Sequence, residues 1–156
     1  MDEICFGIRR KWLLDKRIVV YSLRLLNTTT IRIWANEALS TIHAWDKERP
    51  YLALHDLSKP GIGLSYILLA QAYLMNPAIT TQGSLQLREL MEAHPDFRVC
   101  LAVVLAPNYR QLISEHSMKK FTNSESGVTA SLFFNRVEAL HWLTEVGIPD
   151  YKRHLA

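Results

Sequence analysis

Hydrophobic positions recur along the chain with two different periods, and the change of period predicts strands first and helices afterwards. The apolar run at 12–14 and the β-branched run Arg17–Leu23 flank Asp15 and Lys16. This pattern indicates two antiparallel strands joined by a tight turn. Residues 31–45 then carry apolar side chains at steps of three and four, which is the period of one helix face, and residues 28–30 supply threonine N-caps.

Strands and helices alternate in the rest of the chain. Tyr51–Leu54 and Val99–Leu105 are short apolar runs typical of buried strands, and 129–134 predicts a last strand. Asn135, with Glu138 three residues later, resembles a capping box before a final helix. The predicted helices after the first cover about 63–75, 84–92, 107–118 and 136–147. The order predicts an α/β fold: a mixed sheet of about five strands, with an antiparallel opening hairpin and then parallel crossovers, and helices packed on it.

Composition changes this picture little, since 156 residues with 49% hydrophobic and 21% charged side chains fit one globular domain, 1–156. The longest apolar run, residues 66–75, is half the roughly 20 residues that a membrane span needs. No secretion signal follows the acidic start, and Cys5 and Cys100 form neither a disulfide framework nor a zinc motif. We therefore expect no transmembrane segment and a cytoplasmic protein.

The net charge of +3 raises the question of nucleic-acid binding. Its main local source is a group of cations along the predicted hairpin: Arg9, Arg10, Lys11, Lys16 and Arg17. A nucleic-acid surface concentrates more charge and interleaves aromatic side chains. We interpret these cations as edge-strand charges that prevent edge pairing, and we expect no nucleic-acid partner.

A polar Pro/Gly bend after the third strand is the best candidate site. Its candidate interaction residues are Asp56, Ser58, Lys59, Gly61, Gly63, Ser65 and Tyr66. The bend follows the carboxyl end of a strand, where α/β proteins bind ligands. It lacks the Gly-Lys-Ser/Thr of a P-loop, Tyr66 replaces the third glycine of a dinucleotide motif, and Ile67 replaces the second glycine of a nucleophile elbow. The glycines are interpreted as permitting a bend, with Ser65 in the first helical turn.

The other chemically active side chains do not predict a site. The six histidines show no metal-binding spacing, and His55 and Asp56 are adjacent on a strand, so they face opposite sides and one of them is expected to be buried. Cys100 lies in a core strand and is expected to be unreactive. Trp34, Trp45 and Trp142 are expected to pack on the sheet. We therefore predict no catalytic residue, no metal and no cofactor.

Two short motifs carry a resemblance to a known family. Asp56-Leu57-Ser58 closes the central strand, and Phe134-x-x-x-Glu-Ala-Leu-x-Trp-Leu143 forms the last strand and helix. Together with the order of elements over about 10–147, they resemble the STAS/SpoIIAA-like superfamily. In its anti-sigma-factor antagonists, a partner kinase phosphorylates the serine of an Asp-Ser pair at the start of the next helix. Gly61 and Ile62 stand at those positions here, so Ser58 or Ser65 could replace the phosphoacceptor only if its hydroxyl is exposed.

The resemblance implies a non-catalytic regulatory or protein-interaction domain in signalling or transcription regulation, with an unidentified protein partner. A related SpoIIAA-like group resembles lipid-binding folds, which implies the alternative of a small apolar ligand or lipid bound beneath residues 66–75. A third hypothesis is a serine hydrolase that uses Ser58 or Ser65 with a distant histidine such as His116. The apolar helix 66–75 and exposed edges also suggest a homodimer.

Overall fold

The computed structural model describes residues 2–62, 86, 88–111 and 127–148, which form a single mixed sheet with helices on it. The strands, in spatial as well as chain order, are β1 Asp2–Cys5, β2 Ile8–Leu13, β3 Ile18–Leu23, β4 Tyr51–Leu57, β5 Val99–Leu105 and β6 Val128–Phe133. The helices are α1 Thr28–Ala44, α2 Arg136–Gly147 and a short 3-10 helix, Pro107–Gln111. β1 to β3 pair antiparallel and β3 to β6 pair parallel, which confirms the predicted α/β mixed sheet.

The sheet has one strand more than the five expected, because β1 precedes the predicted hairpin. β1 is short and largely exposed, so its sequence lacks the apolar period of a core strand. Gly7, at a φ of 88°, forms the turn to β2. β1 pairs with the first half of β2, so Arg9 and Arg10 do not lie at an open sheet edge. The edge-strand interpretation is wrong for these two residues.

Strands β3, β4 and β5 are buried on both faces, with α1 on one face and α2 on the other. Alternate residues of β3 to β5, such as Tyr21 and Val103, form a cluster with Ile31 and Trp34 of α1. The intervening residues form a second cluster with Ala139 and Leu143 of α2. This arrangement explains why the central strands are continuous apolar runs rather than alternating ones.

The ends of the helices agree with their capping signals, with one change. α1 begins at Thr28, and its N-cap is Asn27, the residue before the three threonines, which exchanges side-chain and backbone hydrogen bonds with Thr30. Asn135 is the N-cap of α2, as predicted, because its side chain accepts from the amides of Val137 and Glu138. The return bond from the Glu138 side chain, which would complete a capping box, is not among the described contacts. The helix predicted over 107–118 is a 3-10 helix as far as Gln111, and residues 112–118 lie outside the described part.

Residues 88–93 are helical, as the prediction for 84–92 requires, whereas the helix predicted over 63–75 lies outside the described residues. Within the described ranges, the structure has no helix with the length and hydropathy of a membrane span.

Candidate functional site

The carboxyl ends of β3 to β6 lie side by side along one edge of the sheet, the edge that is formed by strand ends and not by an outer strand. Parallel pairing puts Ser22, Asp56, Val104 and Phe133 in one row across these strands. The segments that follow the four strands therefore begin side by side, at the position where open α/β sheets bind ligands. We call these segments, with the β1–β2 turn that lies at the same edge, the carboxyl-end surface.

Asp56 organises this surface through its half-buried carboxylate. Its Oδ1 accepts a hydrogen bond from the Ser58 amide at 3.0 Å and another from the Ser58 hydroxyl at 2.6 Å. Its Oδ2 lies 3.6 Å from the Arg136 guanidinium, at the first residue of α2. Asp56 thus fixes the turn after β4 and connects it to the start of α2.

Ser58 is exposed, and its hydroxyl donates to a carboxylate rather than to an imidazole. His55 lies on the opposite face of β4 with 4% of its surface exposed, which confirms that one member of the His55-Asp56 pair is buried. Its imidazole packs edge-on against Trp34, at 5.0 Å between ring centroids, and against Tyr21 at 6.0 Å. Burial lowers the pKa of His55 from 6.5 to about 4, so the ring is neutral at pH 7.

The other predicted interaction residues have varied roles. The Lys59 ammonium donates to the Arg24 carbonyl at 3.1 Å, which connects the bend after β4 to the end of β3. Gly61 adopts a φ of 89° with open space around its Cα, so backbone conformation rather than crowding requires glycine there. Gly63, Ser65 and Tyr66 lie outside the described residues.

Exposed apolar side chains at the carboxyl-end surface were missed by sequence reasoning. Phe6, in the β1–β2 turn, is 79% exposed, and Val137, in the first turn of α2, is 74% exposed. Leu25, just after β3, is exposed as well. Phe6 lies in a segment that gives no core signal, and Val137 belongs to an amphipathic helix whose facing the sequence leaves open. That all three lie at the same level, beside the carboxyl ends of the parallel strands, is clear only once the strand order is known.

A cleft of about 560 Å³ lies at the opposite edge of the sheet, where β4 begins and both helices end. We call it the amino-end cleft. Trp12 and Trp45 line it and stack on each other, with ring centroids 5.9 Å apart. The Trp45 indole donates to the Pro50 carbonyl at 3.1 Å, which fixes this ring at the end of α1. The sequence predicted no site here.

The tryptophans expected in the core differ in their surroundings. Trp34, a residue of α1, is buried between this helix and the sheet. Trp142 packs on the other face of the sheet, with its ring centroid 5.6 Å from that of Phe133. Trp45 packs edge-on against Tyr51 but also lines the cleft, so its predicted role as a packing residue is incomplete.

Metal and thiol chemistry find little support in the described part of the chain. No three His, Cys, Asp or Glu side chains within it are grouped as metal ligands would be. Cys100 is buried, and burial raises its thiol pKa, although the charge of Arg98 acts in the opposite direction. A raised pKa lowers the thiolate fraction at pH 7, as expected for an unreactive core cysteine.

Comparisons of the chain with models of known protein families, with curated proteins and with solved structures found no match. The resemblance to the STAS/SpoIIAA-like superfamily therefore stays a prediction from the sequence motifs.

Proposed function

We propose that the protein is a non-catalytic protein-interaction module that binds its partner through the carboxyl-end surface. The observation that carries this proposal is the exposure of Phe6, Leu25 and Val137 at that one edge of the sheet. Phe6 and Leu25 lie at the β1–β3 side of the sheet and Val137 after β6, so a partner that covers the strand ends would meet apolar side chains at both sides. The STAS-like motifs support a role in signalling or transcription regulation.

The contacts of Asp56 favour recognition over catalysis. A serine nucleophile requires a base within hydrogen-bond reach of its hydroxyl, usually an imidazole. The Ser58 hydroxyl instead donates to Asp56, and the neighbouring His55 faces the opposite side of β4. The Asp56 carboxylate also pairs with Arg136. These bonds hold the turn in one conformation, which reduces the entropy lost when a partner binds.

Charge on the same surface indicates the chemistry of the partner. Lys59 and Arg136 follow β4 and β6, and the Arg110 guanidinium lies 5.2 Å from the centre of the Phe134 ring. With Arg24, the described residues at and just after the strand ends include four cations and two carboxylates, Asp56 and Glu138. The surface therefore suits a partner that presents apolar side chains flanked by acidic ones.

Val137→Asp tests this assignment, with Leu14→Asp as the matched control. Leu14 is 41% exposed but lies in the β2–β3 turn, at the opposite edge of the sheet. A partner captured by the immobilised protein would be identified, purified and titrated against each variant by calorimetry. We expect about tenfold weaker binding for Val137→Asp, a loss of about 1.4 kcal/mol, because a carboxylate replaces an apolar contact on a surface that prefers acidic partners.

Leu14→Asp should bind like the wild type, and both variants should keep a wild-type melting temperature within a few degrees. Equal affinity of all three proteins would contradict the proposed surface. Hydrolysis of simple esters that is lost in Ser58→Ala would contradict the non-catalytic assignment.

A further inference from the structure

The amino-end cleft contains cations that its carboxylates do not neutralise. Arg10 contacts Glu37 and lies 3.2 Å from Asp2, and Arg49 lies 3.7 Å from Asp46. Lys16 and Arg17 also line the cleft, and neither has a carboxylate partner among the described residues. Two cations at the rim therefore remain available to an anion.

The β2–β3 turn, which contains Lys16 and is followed by Arg17, has an unusual backbone. Leu14, Asp15 and Lys16 adopt φ angles of 51°, 52° and 63°, which is the left-handed region, although none of them is glycine. The amide of Arg17 closes the turn by donating to the Leu13 carbonyl at 3.1 Å. Consecutive left-handed residues with side chains are unfavourable, and such strain concentrates at functional sites. Here it fixes the position from which Lys16 and Arg17 extend.

Arg10 also lines the cleft, but its guanidinium is engaged within the protein. Its Nε atom is buried and has no hydrogen-bond acceptor in the described ranges, while its terminal nitrogens contact Glu37 and Asp2. The guanidinium carbon lies 5.6 Å from the centre of the Trp12 ring, so the side chain is close to the aromatic wall. Because Nε has almost no accessible surface, it is not offered to a ligand, and the contacts of Arg10 hold the guanidinium beside Trp12.

Apolar residues supply much of the remaining lining, beside Ser40 and Thr41 of α1. Trp12 and Trp45 form one wall, and Leu52 and Ile148 contribute side chains from β4 and from the residue after α2. A volume of about 560 Å³ lies within the range of sites that bind small organic molecules, which combine an apolar lining with a few fixed polar groups.

We propose that the amino-end cleft binds a small organic anion that has an apolar body. Lys16 and Arg17 bind the anionic group at the rim, and the body packs against Trp12 and Trp45. This site lies at the edge of the sheet opposite the carboxyl-end surface, so it goes beyond the proposed function and stands independently of it.

The probe for this site is 6-hydroxy-2-naphthoate, a flat molecule with a carboxylate at one end and a hydroxyl at the other. Its binding would be measured by calorimetry, with 2-naphthol as the uncharged control. We expect the naphthoate to bind at least tenfold more tightly than 2-naphthol, and this difference to shrink as salt is added, since exposed charges are screened. In NMR spectra, the indole N–H signals of Trp12 and Trp45 should shift more than those of Trp34 and Trp142.

A pair of double variants separates this site from a general effect of charge. Lys16→Asn with Arg17→Gln removes the two rim cations, and asparagine tolerates the left-handed backbone at position 16. Arg9→Gln with Lys11→Gln removes the same charge from exposed positions of β2 that alternate with those of Arg10 and Trp12. We expect about tenfold weaker naphthoate binding for the first variant and a change below twofold for the second.

Three results would overturn the proposal: no heat and no indole shift at millimolar naphthoate, equal losses in the two double variants, or 2-naphthol binding as tightly as the naphthoate. Circular dichroism would verify that both double variants are folded.

Discussion

The burial of His55 predicts a loss of stability in mild acid that can be assigned to this one side chain. In the folded protein the imidazole lies under α1, between Trp34 and Tyr21, and its pKa is lowered from 6.5 to about 4 because burial disfavours the charged form. In the unfolded chain, the same imidazole binds a proton with an ordinary pKa near 6.5. Between these two values the unfolded state therefore binds more protons than the folded state.

The sign and size of the effect follow from proton linkage. Because the folded pKa is the lower one, the contribution of His55 to stability is present above about pH 6.5 and is lost as the pH falls toward 4. Between pH 7 and pH 5 the two pKa values give a decrease of about 2 kcal/mol in the free energy of unfolding, and the full difference is about 3 kcal/mol. The free energy of unfolding of a single domain is about 5–15 kcal/mol, so this loss is a large part of the total.

Urea unfolding at pH 5, 6 and 7 would measure the effect in the wild type, in His55→Phe and in His94→Gln. Phenylalanine keeps an aromatic ring in the core but cannot bind a proton, so the decrease between pH 7 and pH 5 should be about 2 kcal/mol smaller in His55→Phe than in the wild type. His94→Gln removes an exposed histidine and should keep the wild-type decrease. The reasoning fails if His55→Phe and the wild type lose stability in parallel, since the imidazole would then bind protons equally in both states.

Three further predictions concern the packing, the caps and the thiols. Gly147→Ala should destabilise the protein by about 2 kcal/mol in urea unfolding, although alanine favours helices, because its Cβ would overlap a leucine side chain of β4; an increase in stability would refute this packing. Asn27→Ala should cost about 1 kcal/mol through loss of the capping box, whereas Asn36→Ala, in the middle of α1, should cost nothing. With Ellman's reagent at pH 8, Cys5 should react in the folded protein and Cys100 only after unfolding, because only Cys100 is fully buried; two fast thiols would refute this.

The fold was predictable from the sequence wherever burial of an element produces a clear apolar pattern in its residues. The bounds of β5 are those predicted, because all its residues but Leu101 are buried and the strand reads as one apolar run. The start of α2 was predicted from Asn135, since capping is a local interaction within four residues. β1 was missed because a short, exposed strand is specified by its pairing with β2 rather than by its own side chains.

The carboxyl-end surface and the amino-end cleft bring together residues that are far apart in the sequence, so local sequence patterns do not predict them. Asp56 was selected correctly as a residue at the carboxyl end of a strand, but its bond to Arg136 joins positions 80 residues apart (136 − 56). The amino-end cleft forms where α1 and α2 end and β4 begins, so no segment contains it. In the sequence, Trp12 fits the alternating pattern of a strand just as a core residue would, and Lys16 looks like an ordinary turn residue. Only the left-handed backbone of the turn and the stacking of Trp12 on Trp45 distinguish these residues, and both are properties of the folded chain.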